Sequence, residues 1–325
     1  MKLLFLHLVV HLSCTLAALF VGSDTATGLS LARWDFTANT SSPLGPPLTD
    51  LRSSPNLAAS LLVSNSTWLL APYETATTDR LIQYSVRSGA LDGVAVELGS
   101  EERCFLLYVL SAAADAEVRC LSEVVAGTLS STALRAIDRA SGAKRLLATV
   151  LPHFSPSGVA AHDSTAGVVR ALYFYSPAAA TSNLAQGNYL VTLADATAAT
   201  ISTALLAPEL RVFQIARGDG CTFAVAMVGS GAVYAGVLDD AAAFQPLPAS
   251  PDLSRSFASI GATALTLGGG TLWFSFSKET AAADGGPPTY APWLIGADNA
   301  TGALIYEASG GADLDFSYLQ WSSEQ

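Results

Sequence analysis

The side chains best suited to chemistry are two histidines and an aspartate that lie close together in the sequence. His153 and His162 are nine residues apart in "PHFSPSGVAAHDSTA", and Asp163 directly follows the second histidine. Because imidazole and carboxylate groups together suit zinc and similar ions, these three residues are the candidate metal ligands. Their spacing matches no standard ligand motif, which favours structural roles for all three.

Two close carboxylate pairs are the other candidates for acid–base work or weak calcium binding. Asp239 adjoins Asp240, and "ADLDF" contains Asp313 and Asp315. Such residues more often cap turns or face solvent. The chain contains no Gly-x-Ser-x-Gly elbow, Walker-type loop, His-Glu-x-x-His motif or dinucleotide fingerprint. The sequence therefore predicts no catalytic residue and leaves any cofactor unknown.

A disulfide is predicted between Cys104 and Cys120. In "CFLLYVLSAAADAEVRC" the two cysteines are symmetric about Ala112, and "SAAAD" forms the turn between apolar arms. A hairpin would bring them opposite each other, so a disulfide is sterically reasonable in an oxidising compartment. Two buried thiols are the alternative, and Cys221 is expected to be buried rather than reactive.

The N-terminal segment has the features of a secretory signal peptide. A lysine precedes an apolar stretch of about 19 residues, small residues follow it, and cleavage is expected after Ala17 or Ser23. We assign residues 1–23 to the signal peptide and residues 24–325 to one folded domain. An uncleaved signal anchor is the alternative, because the stretch could just span a bilayer. No later segment is apolar enough to cross a membrane.

Glycosylation signals and charge narrow the expected partners. Sequons at Asn39, Asn65 and Asn299 suit a secreted glycoprotein, whose partner would be a protein or glycan in the extracellular space. The formal net charge is −11, and no Lys/Arg cluster is present to neutralise phosphates. These features argue against a nucleic-acid partner, and we expect none.

One turn recurs along the chain after an apolar run. Its head is an Asp or Ser that can cap the turn's backbone N–H groups, and the six heads are Asp35, Ser85, Asp138, Asp195, Asp239 and Asp298. Their successive spacings are 50, 53, 57, 44 and 59 residues. In four copies Gly or Asn stands four positions later, where a positive φ would be tolerated. The copies headed by Asp195 and Asp239 have alanine there, so these two turns are expected to differ.

A short aromatic-rich apolar run precedes five of the turns. The runs contain Trp68, Phe105, Tyr173, Phe223 and Trp273, and each has strand length. Uninterrupted apolar character indicates burial on both faces. A period near 50 residues with about four strands per unit is typical of a β-propeller. We therefore predict an all-β, six-bladed β-propeller of four-stranded antiparallel blades, with the aromatic run as second strand and the turn between third and fourth strands.

The ring is expected to be closed by strands from both termini. The first copy, "SLARWDFTANTSS", supplies only outer strands, and "ADLDFSYLQW" is the predicted donor of its inner strand. One strand of that blade remains unassigned.

Two of the turns resemble a known repeat. "LIGADNATGALIYEA" and "LRAIDRASGAKRLLATV" resemble the "A-x-D-x-x-T-G-x-x-x-W" turn of quinoprotein-type propellers and of related secreted propellers. Tyr306 and Leu146 stand where that repeat has tryptophan, and nothing matches a pyrroloquinoline quinone site. The resemblance therefore implies the blade hairpin and the fold, and no cofactor.

Two functions of different class fit these features. The favoured one is a non-enzymatic extracellular binding or scaffold module, because no catalytic constellation is recognisable. The alternative is a lactonase, another hydrolase or an oxidoreductase whose polar residues converge in the central channel from separate blades.

The partner is expected on one face of the ring. Extra length in "SAAADAEVRCLSEVVAGTLSS", "SPAAATSNLAQG" and "KETAAADGGPP" is assigned to loops between second and third strands. The connection holding His153 and His162 is expected on the same face, opposite the Asp-headed turns. Because long loops on a rigid scaffold usually carry recognition, we predict that this face binds the partner.

Overall fold

The chain folds into six antiparallel β-sheets that form the blades of a propeller, as predicted. The computed structural model describes residues 17–49, 51–52, 59–63, 66–75, 78–98, 102–110, 117–126, 129–150, 154–176, 184–218, 220–229, 231–255, 264–280, 289–310 and 316–323. Within these ranges the only helical element that we assign is a 3-10 turn, Leu253–Arg255, and no helix could span a membrane.

Blades 3 to 6 are continuous in sequence, and each runs from its innermost to its outermost strand. Blade 3 comprises β10 (Glu102–Val109), β11 (Val118–Ala126), β12 (Leu129–Ile137) and β13 (Lys144–Val150). Blade 4 comprises β14 (Phe154–Asp163), β15 (Val168–Tyr175), β16 (Gly187–Ala194) and β17 (Thr200–Leu205). Blade 5 comprises β18 (Leu210–Gly218), β19 (Cys221–Val228), β20 (Ala232–Leu238) and β21 (Phe244–Pro246). Blade 6 comprises β22 (Leu265–Gly268), β23 (Thr271–Thr280), β24 (Thr289–Asp298) and β25 (Leu304–Ser309).

Blade 2 follows the same plan with interrupted strands. The strands are β4 (Ser60–Val63), β5 (Thr67–Leu70), β6 (Tyr73–Thr75), β7 (Thr78–Ser85), β8 (Ala90–Leu91) and β9 (Val96–Glu97). The second strand is split into β5 and β6 and the fourth into β8 and β9, all of which pair with β7.

Blade 1 closes the ring with strands from both ends of the described chain. Its order is β26 (Tyr318–Ser323), β1 (Ala17–Thr25), β2 (Gly28–Asp35) and β3 (Thr40–Pro43). The C-terminal donor of the inner strand is confirmed, and β1 is the strand that the sequence left unassigned. Most of β1 precedes the expected domain boundary at residue 24, so the blade includes residues that we had placed in the signal peptide.

The recurring turns join third to fourth strands in all six blades, as predicted. Asn39, Gly89, Gly142 and Gly302 have positive φ four positions after the head residue. The two alanine-containing turns do differ. Positive φ falls three positions after the head, at Ala198 (54°) and Ala242 (62°).

The aromatic run is the second strand in four of the five predicted cases. The exception is the run containing Phe105, which forms β10, the innermost strand of blade 3. The apparent long loop after Phe105 therefore includes the whole of β11, so the predicted extra loop between second and third strands is wrong there. Its turn, residues 111–116, joins first to second strands and lies outside the described residues.

Six apolar clusters fill the six seams between neighbouring blades. Because side chains alternate across a strand, β1 sends Ala18 and Phe20 into the seam with blade 2, and Leu19 and Val21 into the seam with blade 6. All four are at most 4% exposed. The uninterrupted apolar runs are thus explained, since each inner strand is covered by a blade on either side.

The predicted disulfide between Cys104 and Cys120 is present and lies in the seam between blades 2 and 3. The pairing is diagonal. Cys104 lies opposite Ser122 and Cys120 opposite Leu107, so the register differs from the predicted symmetric one on both sides of a bulge between Cys104 and Leu106.

Candidate functional site

The innermost strands of all six blades enclose a channel with a cavity of about 320 Å³. Its lining is mostly small or apolar, including Leu61, Ala160, Ile215 and Leu265. Polar side chains come from separate blades, namely Ser60, Tyr108, His162, Gln214, Arg217, Thr266 and Gln320. We call Tyr108, His162, Asp163, Asp195 and Arg217 the channel-mouth cluster, because they gather where β10, β14 and β18 end.

The histidine of this cluster is fixed by two neighbours. His162 Nε2 lies 3.0 Å from Asp195 Oδ2, and both side chains are largely buried, at 12% and 14% exposed. The Tyr108 ring, from blade 3, packs against the imidazole with ring centroids 4.4 Å apart. The Tyr108 hydroxyl donates to the backbone oxygen of Asp195 at 2.6 Å.

This arrangement determines what His162 can do chemically. An ionised carboxylate only accepts hydrogen bonds, so Asp195 assigns the proton of a neutral imidazole to Nε2 and leaves the lone pair on Nδ1. Burial raises the pKa of the Tyr108 hydroxyl, and the Asp195 charge raises it further. Tyr108 therefore stays protonated, and the cavity wall holds an oriented imidazole able to accept a proton or a hydrogen bond.

The adjacent Asp163 points to the opposite side of blade 4 and joins it to blade 5. Arg217 Nη2 lies 2.6 Å from Asp163 Oδ2, and the backbone N–H groups of Thr165 and Ala166 donate to Oδ1 at 3.0 Å. Burial acts to raise the pKa of Asp163, but these hydrogen bonds and the Arg217 charge outweigh it, so the pKa is lowered. Asp163 is therefore a buried anion matched to a cation that lines the cavity.

A second ion pair reinforces the same seam. Arg170 of β15 reaches Asp240, in the turn of blade 5, with Nε and Nη2 at 2.8 and 2.7 Å from Oδ1. Asp240 thus pairs across blades, whereas the neighbouring Asp239 accepts backbone N–H groups of its own turn.

The structure places the predicted metal candidates as follows. His162 and Asp163 end β14 on the face of the Asp-headed turns, so the expectation that His162 lies on the other face is wrong. His153 is outside the described residues. Among the residues that the structure does describe, no three His, Cys, Asp or Glu side chains converge as a metal site would require. The three-residue metal site stays a prediction.

Other predicted positions are only partly visible. Asn39 is exposed in the turn of blade 1 and Asn299 is half-buried in the turn of blade 6, whereas Asn65 lies outside the described residues. Asp313 and Asp315 also lie outside them. The two remaining long loops join second to third strands as expected, but residues 177–183 and 281–288 are not described.

Tyr108 and Arg217 were missed by the sequence analysis, and Asp195 was seen only as a turn head. Tyr108 comes from β10, Asp195 from the turn after β16 and Arg217 from β18, so no local spacing connects them. The sequence contained one signal, because Asp195 heads one of the two turns that have alanine four positions later. In the structure the Asp195 carboxylate bonds to His162.

The sequence matches no protein-family model and no curated protein sequence. Similar folds occur among solved structures. The periplasmic gluconolactonase PpgL of Pseudomonas aeruginosa has a TM-score of 0.51 and 14% identity, covering 95% of this chain and 99% of that one. The fucose-recognising six-bladed β-propeller lectin of Aleuria aurantia has a TM-score of 0.48 and 10% identity, covering 91% and 97%. BamB from Moraxella catarrhalis has a TM-score of 0.37 and 12% identity, covering 88% and 71%. At 14% identity the likeness to the gluconolactonase is one of fold alone.

Proposed function

We propose that this protein is an extracellular, non-enzymatic β-propeller that binds a small, uncharged, hydroxyl-bearing molecule at the mouth of its channel. The observation that carries the proposal is the cavity of about 320 Å³, in which polar side chains from different blades stand among small and apolar residues. Cavities of roughly 300–1,000 Å³ with this mixture are the usual form of a small-molecule site.

The charges around the cavity favour an uncharged ligand. Arg217 is neutralised by Asp163 at 2.6 Å, and His162 is bonded to Asp195. A charged ligand would have to give up its hydration without an uncommitted partner, which is costly. A hydroxyl-bearing ligand can instead bond to His162, Gln320 and Thr266 while its C–H faces contact the apolar wall.

The extracellular location is supported by two features. The Cys104–Cys120 disulfide is of a kind that persists in oxidising compartments. The sequon residue Asn39 is exposed, as a glycan would require.

The proposal is tested with D-glucose and L-fucose as probes in ligand-observed NMR and calorimetry. At about 10 mM, a probe with a Kd of about 1 mM fills most sites. We expect one of them to bind, and His162→Ala to weaken binding by up to about tenfold, the effect of one lost hydrogen bond between neutral groups. Asp138→Asn, in an exposed turn, is the matched control and should bind normally. Absence of binding by both sugars, or binding unchanged in His162→Ala, would contradict the proposed site.

The His162–Asp195 pair supports a second candidate, hydrolysis of a neutral sugar lactone. His162 Nδ1 would take a proton from water while the water oxygen attacks the carbonyl carbon, and the ring C–O bond would then break as its oxygen receives that proton. The gluconolactonase above is named for such a reaction, but it shares only the fold with this chain.

Titration of the acid released from D-glucono-1,5-lactone separates the two functions. An enzyme would exceed spontaneous opening and lose about 100-fold or more in His162→Gln. Release at the spontaneous rate would leave the binding function as proposed and remove the hydrolase.

A further inference from the structure

An aromatic shelf lies at the outer part of the seam between blades 6 and 1. Phe36 and Tyr306 are half-buried, with ring centroids 5.3 Å apart and nearly perpendicular planes. Trp273 lies beneath them, and its ring centroid is 4.9 Å from that of Phe36. Trp273 also stacks on Trp321, with ring centroids 5.7 Å apart. Two large aromatic side chains thus stay partly exposed above a closely packed aromatic base, where apolar surface remains to be covered.

Asn39 is attached to this shelf by a hydrogen bond. Trp34 Nε1 donates to the Tyr306 hydroxyl, which donates to Asn39 Oδ1, both at 2.7 Å. The bond uses the amide oxygen and leaves Nδ2, the atom that carries an N-linked glycan, uncommitted by it. Asn39 itself is exposed and sits at positive φ, 53°, in the turn.

The sequence supplies an occupant for the shelf. Asn39, Thr40 and Ser41 form a sequon, so a secreted form of this chain can receive a glycan at the residue that is bonded to Tyr306. We propose that the first sugar of an N-glycan at Asn39 lies over Phe36 and Tyr306 and stabilises the seam at which the ring closes. This rests on the extracellular location in the proposed function, although none of these residues lines the cavity.

The physical basis is burial of apolar surface. One face of a pyranose ring presents C–H groups that pack on aromatic rings, and covering the half-exposed Phe36 and Tyr306 removes apolar area from water. The sugar would also hold the chain of bonds from Trp34 through Tyr306 to Asn39, which links blade 1 to blade 6. Asn299 provides a comparison, because it lies in the equivalent turn of blade 6.

The test uses protein secreted from a glycosylating eukaryotic host. Glycopeptide mass spectrometry should find Asn39 occupied, and trimming the glycan to its first sugar should leave Tm unchanged. Ser41→Ala removes the sequon without altering Asn39, and we expect it to lower Tm by about 2 °C or more. In the Phe36→Ala background, the glycosylated protein and its unglycosylated Ser41→Ala form should have the same Tm.

Two controls keep the result specific. Bacterially produced wild type and Ser41→Ala carry no glycan and should have the same Tm. Asn299→Gln from the eukaryotic host should have the same Tm as the wild type from that host. Absence of a glycan on Asn39 would overturn the proposal. It would also be overturned if Ser41→Ala lowered Tm equally in the wild-type and Phe36→Ala backgrounds. Sugar binding in the channel should not change in any of these variants, so failure of the glycan proposal is distinguishable from failure of the channel site.

Discussion

The six turn heads share a residue type but divide into two roles. Asp35, Asp138, Asp239 and Asp298 each accept backbone N–H groups of their own turn, and Ser85 accepts one through its hydroxyl. The Asp195 carboxylate instead bonds to His162 and brings a turn residue into the channel-mouth cluster. The head position caps its own turn in five blades, whereas in blade 4 it orients the His162 imidazole.

Three consecutive glycines, 268–270, differ in how much space a side chain would have, so substitutions at them should have different effects. Gly268 ends β22, and Gly269 and Gly270 form the hairpin turn to β23, with φ of 61° and 76°. A Cβ on Gly268 would lie 1.8 Å from Trp321, whereas a Cβ on Gly270 would meet nothing within 4 Å.

Gly268→Ala must displace Trp321 from its stack on Trp273, and overpacking of this kind costs about 1–3 kcal/mol or more. Gly270→Ala pays only for the left-handed backbone, about 1–2 kcal/mol. We expect Gly268→Ala to have the lower midpoint in chemical denaturation, with reduced Trp fluorescence shift on unfolding. Equal destabilisation by the two substitutions would show that the Trp321 contact does not constrain the turn.

At the scale of elements, the disulfide ties the two inner strands of blade 3. It joins β10 to β11 across a sequence separation of 16 residues and is fully buried with its neighbours in the seam with blade 2. A cross-link closing a loop of this size contributes about 3 kcal/mol, mainly by restricting the unfolded chain.

The double variant Cys104→Ala/Cys120→Ala should therefore lose about 3 kcal/mol in free energy of unfolding, measured by guanidinium titration. Cys221→Ala, in β19 of another blade, is the control and should change stability much less. Reductant should lower the midpoint of the wild type and leave the double variant unchanged. If reductant is present during unfolding and the midpoint of the wild type does not change, the result would argue against the cross-link.

The β1 strand restricts where a signal peptide can be cleaved. Its residues pair with β2 on one side and with β26 on the other. Cleavage after Ser23 would remove Leu19, Phe20 and Val21 from the two seams, at a cost of about 1.5–3 kcal/mol for each side chain. That sum, about 5–9 kcal/mol, approaches the whole stability of a typical domain.

Of the two expected cleavage sites, we therefore propose the one after Ala17. N-terminal sequencing of the secreted protein should begin at Ala18, and a chain beginning at Asp24 should fail to give a cooperative thermal transition. A mature protein that starts at Asp24 and melts normally would show that β1 is dispensable.

At the scale of the molecule, the fold was predictable because the blade repeats. The turn heads and apolar runs recur with a period near 50 residues, which indicates a propeller, and the six copies of the turn give the blade number. The role of the Phe105 run was not predictable, because an inner strand and a second strand are both covered on two sides and look equally apolar. The channel-mouth cluster was not predictable either, since Tyr108, Asp195 and Arg217 become neighbours only when three blades are in place.

Acid sensitivity should also be a property of the whole ring. The pKa values of Asp35, Asp138, Asp163, Asp252 and Asp298 are lowered, the last by hydrogen bonds from the Thr301 side chain and backbone. A carboxyl with a depressed pKa stabilises the fold above its unfolded value, about 3.9, and this contribution disappears as the pH falls through the folded value.

We therefore expect Tm to change little through this effect above about pH 5 and to fall steadily below about pH 4. Asp298→Asn keeps an oxygen that can accept from Thr301 but cannot ionise, so its acid limb should be shallower, measured by calorimetry from neutral pH downwards. A wild-type Tm that does not fall in acid would contradict these native-state pKa directions.

Ring closure by β1 and β26 has a consequence for biosynthesis. The partner strand of β1, β26, begins at Tyr318, 293 residues after β1 ends at Thr25, and ribosomes add about 5–20 residues per second. The exposed edge of β1 must therefore wait about 15–60 seconds for its partner at that rate. During that interval the nascent chain offers an apolar strand edge to any neighbour, so chaperone demand should be greatest before β26 emerges.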